Sequence, residues 1–131
     1  MSRAWSRSSW PRDVRVLIVD DDAEQRLALR GVLERAGYQV FEAPNGRIAL
    51  DVCRTIRPWI VVLDAVMPVM DGSAFLLRKL IDAEIADIPV VMLSAWDVDC
   101  QGSVATILRK PARGHAIVGA VRSFARVADA A

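Results

Sequence analysis

Histidine is nearly missing from this sequence: His115 is the only one in 131 residues. Cysteine is scarce, and Cys53 and Cys100 form no CxxC pair and have no histidine nearby. That excludes a zinc cluster of the usual spacing and a disulfide framework, and it fits a reducing, cytoplasmic compartment. No apolar run approaches the roughly 20 residues that a membrane-spanning helix needs. The first thirteen residues, MSRAWSRSSWPRD, carry positive charge but no apolar core, so they do not read as a secretory signal. One-sided charge is missing too. With 17 Lys+Arg against 16 Asp+Glu the net charge is +1, and the totals give no electrostatic case for nucleic acid or an anionic membrane as partner. Only two lysines stand among these basic residues, Lys79 and Lys110, a balance that fits a GC-rich bacterial genome.

What is present is ordinary for one globular domain: 53% apolar and 25% charged residues, enough chain for a real core, and no internal repeat. The sequence is organised around Trp59–Gly72, WIVVLDAVMPVMDG. Its apolar, β-branched run Ile60–Leu63 reads as a strand buried on both faces, and it ends in a single carboxylate, Asp64. Upstream, residues 1–13 are Ser- and Arg-rich and read as a disordered arm, with Trp5 and Trp10 unexplained.

Val14–Val19 is a second buried strand, ending in Asp20-Asp21-Asp22. Asp22 with Gln25 forms a capping-box pattern. Leu29, Val32, Leu33 and Ala36 then mark one helix face, and Gly37 its stop. Tyr38–Glu42 reads as a short strand and Pro44-Asn45-Gly46 as a turn. Ala49, Cys53 and Ile56 mark a second helix that ends at Pro58, which makes Cys53 a core residue. Asp71-Gly72 opens a third helix with Phe75, Leu76 and Leu80 inward. Pro89–Leu93 and Val104–Leu108 are further strands, and Ile117, Val118, Val121 and Phe124 face the core from a last helix. Met67 and Met70 read as loop packing, His115 as a solvated residue near the start of that helix, and Cys100 as incidental.

Strands alternating with helices at this spacing imply βαβ units and a parallel, doubly wound α/β sheet. In such a sheet the strand C-termini share one edge, where ligands bind. Asp20 and Asp21, Asp64, Ser94 and Lys110 follow four different strands. Carboxylates gathered there stay ionised if they hold a divalent cation, and an all-oxygen set suits Mg²⁺. A hydroxyl and an ammonium beside that cation are what a phosphoryl group in transfer requires, and the facing carboxylate can act as the nucleophile.

The stretches VLIVDDD at 16–22, VVLDAVMPVMDG at 61–72, VVMLSA at 90–95 and RKP at 109–111 resemble the receiver domain of bacterial two-component response regulators. The resemblance runs over roughly Val14 to Val127. It implies a five-stranded sheet of order 2-1-3-4-5 and a receiver domain over residues 14–128. It also implies roles. Asp64 accepts phosphate from a phosphohistidine of a sensor histidine kinase or phosphotransfer protein. Asp20, Asp21, Asp64 and the Val66 carbonyl hold Mg²⁺. Ser94 is the switch hydroxyl, Ala95 leaves access, and Lys110 pairs with phosphoryl oxygens, its bond to Pro111 being cis.

Three departures stand beside the resemblance. Ser94 to Lys110 spans 110 − 94 = 16 positions, about six fewer than usual, so the family's fourth helix is expected to be shortened or missing. The position of the family's switch aromatic holds Ile107. The positions two beyond Asp64 and Ser94, which flank the water of dephosphorylation in the family, are apolar: Val66 and Trp96. After Val127 only ADAA remains, so no output domain is expected. Output is then through contact with another protein, or the domain is an intermediate in a phosphorelay or a piece of a larger regulator or hybrid kinase, with no separate substrate turned over. Two rivals remain: a phosphorylation-independent interaction module of the same fold, and, more distantly, a Mg²⁺-dependent aspartyl phosphohydrolase.

Overall fold

The computed structural model describes residues 14–67, 70–95 and 104–125. Nine elements follow in order: β1 (Arg15–Val19), α1 (Ala23–Arg35), β2 (Gln39–Ala43), α2 (Gly46–Ile56), β3 (Ile60–Asp64), α3 (Gly72–Leu80), β4 (Val90–Ser94), β5 (Thr106–Arg109) and α4 (Gly114–Phe124). The five strands form one parallel sheet of order β2-β1-β3-β4-β5. This is the doubly wound 2-1-3-4-5 sheet expected from the sequence, with four helices among the described residues.

The strands are apolar on both faces because helices cover both. Successive side chains alternate across a strand. Val16, Ile18, Ile60, Val62, Val91 and Leu93 face a core shared with Leu29 and Leu33 of α1 and Ile117 and Val121 of α4. Leu17, Val19, Val61, Leu63, Val90 and Met92 face a second core, with Ala49 and Cys53 of α2 and Phe75 and Leu76 of α3. Cys53 is fully buried there, and burial pushes its thiol up to about 12, which makes it an inert core residue. No described helix is long and apolar enough to cross a membrane.

Local chemistry sets the helix ends. Asp22 caps α1 by accepting from the Glu24 and Gln25 amides. The α1 C-terminus closes as a Schellman motif: Gly37, at φ 101°, donates to the Glu34 carbonyl, and the Tyr38 amide donates to that of Leu33. Tyr38 is thereby committed to the cap, so β2 starts at Gln39 rather than at Tyr38. Similarly, β5 begins at Thr106, two residues later than the pattern implied.

Two expected core residues are not in the core. Leu80 is 59% exposed. The inward face of α3 is Phe75, Leu76 and Lys79, and Lys79 takes the last inward turn. Its ammonium donates to the Ala86 carbonyl at 2.8 Å, which makes burial of the aliphatic stem tolerable and rotates Leu80 outward. Phe124, 40% exposed, stands on the final residue of α4, where the chain leaves the helix at Ala125.

The expected arm at residues 1–13, Trp96 and Cys100, and the segment read as the site of a shortened fourth helix (96–103) lie outside the described residues.

Candidate functional site: an acid cluster at the C-terminal edge of the sheet

The alternation that buries Val16 and Ile18 places Asp20 next on the same side. Likewise Ile60 and Val62 lead to Asp64, and Leu108 leads to Lys110. The site is therefore built by continuing the buried strands β1 and β3, and the half-buried edge strand β5, past their apolar runs. Asp20 and Asp64 are buried and Asp21 is exposed. A carboxylate oxygen from each lies within 4.8 Å of the others. Lys110 Nζ donates to Asp64 Oδ1 at 2.6 Å. The Lys110 backbone is fixed by its amide, which donates to the Ser94 carbonyl at 2.8 Å, and the Lys110–Pro111 bond is cis, as the resemblance implied. Ser94 is buried at the end of β4, one residue past Leu93, the register partner of Asp64.

The two oxygens of Asp20 are treated unequally. Oδ1 accepts the Asp22 amide at 2.9 Å; Oδ2 is buried with no hydrogen-bond partner. The Asp22 amide thus goes to Asp20, not back to the Gln25 side chain that a reciprocal capping box would use. Burial is the main force holding the Asp20 carboxyl above the ordinary carboxylate range. The Asp22 amide works against it, and Asp64 nearby adds to it. An orphaned, buried carboxylate oxygen on a member of a three-carboxylate cluster, with oxygen donors only, suits a hard divalent cation such as Mg²⁺.

Several residues in the surroundings were missed from sequence. Arg26 donates to the Asp20 carbonyl at 2.7 Å and to Glu42 at 2.9 Å, and Arg30 donates to Glu42 at 2.6 Å, so α1 is bolted to the edge strand beside the acids. These arginines hold the Glu42 carboxyl below its usual range. Only the i, i+4 spacing of the two arginines signalled this; their partner is 16 and 12 residues away. Asp71 caps α3 by accepting the Ala74 amide at 2.9 Å. His115 is exposed in the first turn of α4, Met67 is buried, and Met70 packs against the same core, as read from the sequence. Ile107, 37% exposed, pairs with Met92 on β5.

Gly72 ties the loop back to the strand. Its amide donates to the Ala65 carbonyl at 3.1 Å, and a Cβ at this position would stand 3.0 Å from that oxygen and 3.2 Å from the Asp64 carbonyl. Gly72→Ala is therefore expected to destabilise the fold by about 1–3 kcal/mol, read by urea denaturation. It should also shift the backbone signals of Asp64 and Ala65. An unchanged midpoint would mean that the loop relaxes freely.

Residues 16–122 match the response regulator receiver domain family. The chain is 42% identical over 83 residues to sporulation initiation phosphotransferase F of Bacillus subtilis, covering 63% of this chain and 64% of that protein. It is 36% identical over 83 residues to the protein PilH of Pseudomonas aeruginosa, covering 63% and 69%. Against the response regulator MprA of Mycolicibacterium vanbaalenii the figures are 44% identity over 86 residues, 64% of this chain and 36% of that one. The chain thus spans less than two thirds of the length of the first and third of these relatives. Among solved structures, the chemotaxis protein CheY4 of Vibrio cholerae superposes with a TM-score of 0.78 at 25% identity, over 86% of this chain and 98% of that one. A response regulator from Chloroflexus aurantiacus gives 0.78 at 27%, over 86% and 97%.

Proposed function

The chain belongs to the response regulator receiver domain family of two-component systems, and from that premise we propose that it accepts a phosphoryl group on Asp64 from a phosphohistidine of a sensor histidine kinase or phosphotransfer protein. The observation that carries this reading is the 2.6 Å ion pair of Lys110 with Asp64 inside the Asp20–Asp21–Asp64 cluster. In the transfer, an oxygen of Asp64 attacks phosphorus, the P–N bond to imidazole breaks, and an acyl phosphate forms. Lys110 moves its charge from the carboxylate to a phosphoryl oxygen, and the Ser94 hydroxyl donates to another. Asp20, Asp21, Asp64 and the Val66 carbonyl would hold Mg²⁺, whose chemistry there is to neutralise the incoming phosphoryl charge. The phosphoryl group carries about −1.5 to −2 charges at this edge, in place of the single charge of the Asp64 carboxylate. With Ile107 where an aromatic would swing, the change is passed on through contact with a downstream protein, in the cytoplasm, by a route other than ring rotation.

The test is incubation with Mg²⁺ and a small phosphodonor, followed by intact mass. One added phosphoryl group, absent in Asp64→Asn, is the expected result. No gain, with no Mg²⁺ binding, would replace this reading with a phosphorylation-independent interaction module. Donor consumed without a gain would point to a phosphohydrolase.

Val66 is 54% exposed and apolar. It offers no hydrogen bond to a water approaching the acyl phosphate. The phosphorylated protein is therefore expected to keep its label well beyond seconds, and Val66→Asn to lose it about tenfold faster, less than the roughly 10²–10⁴-fold of a full general acid or base because an amide positions the water without taking its proton. Loss of label from the unmodified protein within seconds would contradict this.

A further inference from the structure

Both peptide units that meet at Asp20 are tied down. The Asp20 amide donates to the Ala43 carbonyl of β2 at 3.1 Å. The Asp20 carbonyl accepts from Arg26 Nη1 at 2.7 Å. That carbonyl belongs to the planar peptide joining Asp20 to Asp21, so whatever fixes it fixes the plane between two neighbouring carboxylates. Arg26 is itself held. Its Nε donates to Glu42 Oε1 at 2.9 Å, and Glu42 precedes Ala43 on β2. The contacts therefore close a ring, from Asp20 to Ala43, along the strand to Glu42, and through Arg26 back to Asp20.

Arginine suits this place. One planar guanidinium serves a backbone oxygen and a carboxylate on different elements at once, with less freedom than a lysine ammonium on its flexible stem. The Arg26 side chain is only 17% exposed, so its bonds are better shielded from water than those of a surface pair. Arg30 grips the other Glu42 oxygen, Oε2, at 2.6 Å and keeps Glu42 from swinging away. Its further bonds go to Glu34 and the Val40 carbonyl, none of them to Asp20.

We propose that Arg26, held by Glu42, is the positioning residue of the acid cluster, setting the Asp20–Asp21 peptide so that both carboxylates converge with Asp64 on one divalent cation. The inference rests on the phosphoryl-accepting role proposed above. Arg26 bonds Asp20 only at the backbone, so it acts through the ligand and not on the cation. Its charge works in the opposite sense. A guanidinium near the cluster repels a divalent cation, so on electrostatic grounds alone its removal tightens Mg²⁺ binding. Loss of positioning weakens that binding, and the sign separates the two effects.

The test is Mg²⁺ titration by calorimetry, with amide NMR of the metal-free protein, on the full chain. Arg26→Ala is expected to weaken Mg²⁺ binding by about 10-fold to 100-fold, the usual effect of removing a group that orients a metal ligand, and to shift the Asp21 amide signal. Arg30→Ala should lower the urea midpoint as well, yet leave Mg²⁺ affinity and the Asp21 amide unchanged. Should Arg26→Ala not fold, Arg26→Lys, which keeps the charge but not the two-acceptor fork, is expected to weaken Mg²⁺ binding in the same direction by less. Unchanged or tighter Mg²⁺ binding in the Arg26 variant that folds overturns the proposal. An equal loss in Arg30→Ala overturns it too, by making the bolt a support for the fold alone. An unmodified protein that binds no Mg²⁺ overturns the proposed function, and this inference with it.

Discussion

Lys110→Ala is expected to slow phosphoryl acceptance by about 10²–10³-fold, the usual effect of removing one preorganised donor from developing charge, while binding Mg²⁺ more tightly than the unmodified protein. The two changes have one cause. At 2.6 Å the ammonium is the immediate counter-charge of Asp64, and the Asp64 side chain is only 7% exposed. Without it, three carboxylates within 4.8 Å have lost their closest cation. A divalent ion becomes the only strong relief of their repulsion, and it no longer competes with a fixed positive charge. The metal-free variant should be less stable by about 1–3 kcal/mol, below the full cost of breaking a buried pair because Lys110 keeps some solvent access. Stopped-flow phosphorylation, Mg²⁺ titration and urea melts of one variant measure all three. If transfer slowed but Mg²⁺ affinity fell, Lys110 would be organising the metal site and its effect on the phosphoryl group would be secondary.

Much of this site was legible because its residues sit at strand ends, where a continuous apolar run stops at a polar side chain. Asp20, Asp64 and Ser94 each close a run of apolar residues, so strand recognition and site recognition were one step. Lys110 was placed only by following the last strand, and the resemblance sharpened its role, since nothing local distinguishes RKP at 109–111 from a surface turn. Helix faces were less legible. Leu80 was assigned inward because leucine on a helix usually packs, but Lys79, one position earlier, could reach the Ala86 carbonyl and took the buried turn. A lysine becomes a core residue only when a specific acceptor stands at the end of its reach, and that acceptor comes from chain folding, not from spacing. The bolt of Arg26 and Arg30 on Glu42 was hidden for the same reason. The strand boundary at Tyr38 was displaced because a cap and a strand cannot share one amide.

Asp20→Asn should raise the melting temperature of the metal-free protein at neutral pH and abolish most of its stabilisation by Mg²⁺. Asp20 is buried, its Oδ2 has no partner, and Asp64 faces it across the cluster. Since Oδ1 accepts the Asp22 amide, an asparagine at this position keeps its oxygen there. Its amide nitrogen then falls in place of the orphaned oxygen, where it presents a donor to the neighbouring carboxylates. An unsatisfied buried polar group costs about 1–3 kcal/mol, which sets the size of the gain. The direction with pH follows from linkage. Burial holds the Asp20 carboxyl above its ordinary 3.8, so in the range just above that value the folded state keeps a proton that the unfolded state has released. Stability contributed by this group is therefore lost as pH rises through its folded pKa, and the penalty is fully present at neutrality. Variant and unmodified protein should differ least at acid pH and most at pH 7. In the unmodified protein a ligand at 100 times its Kd stabilises by about 2.7 kcal/mol; the variant, lacking one anionic ligand, should show little of this. Scanning calorimetry from pH 4 to 8, with and without Mg²⁺, measures both effects. A metal-free variant that melts below the unmodified protein at pH 7 would mean that the Asp20 carboxylate is already compensated in the free protein, and that the cluster is a capping arrangement rather than a cation site.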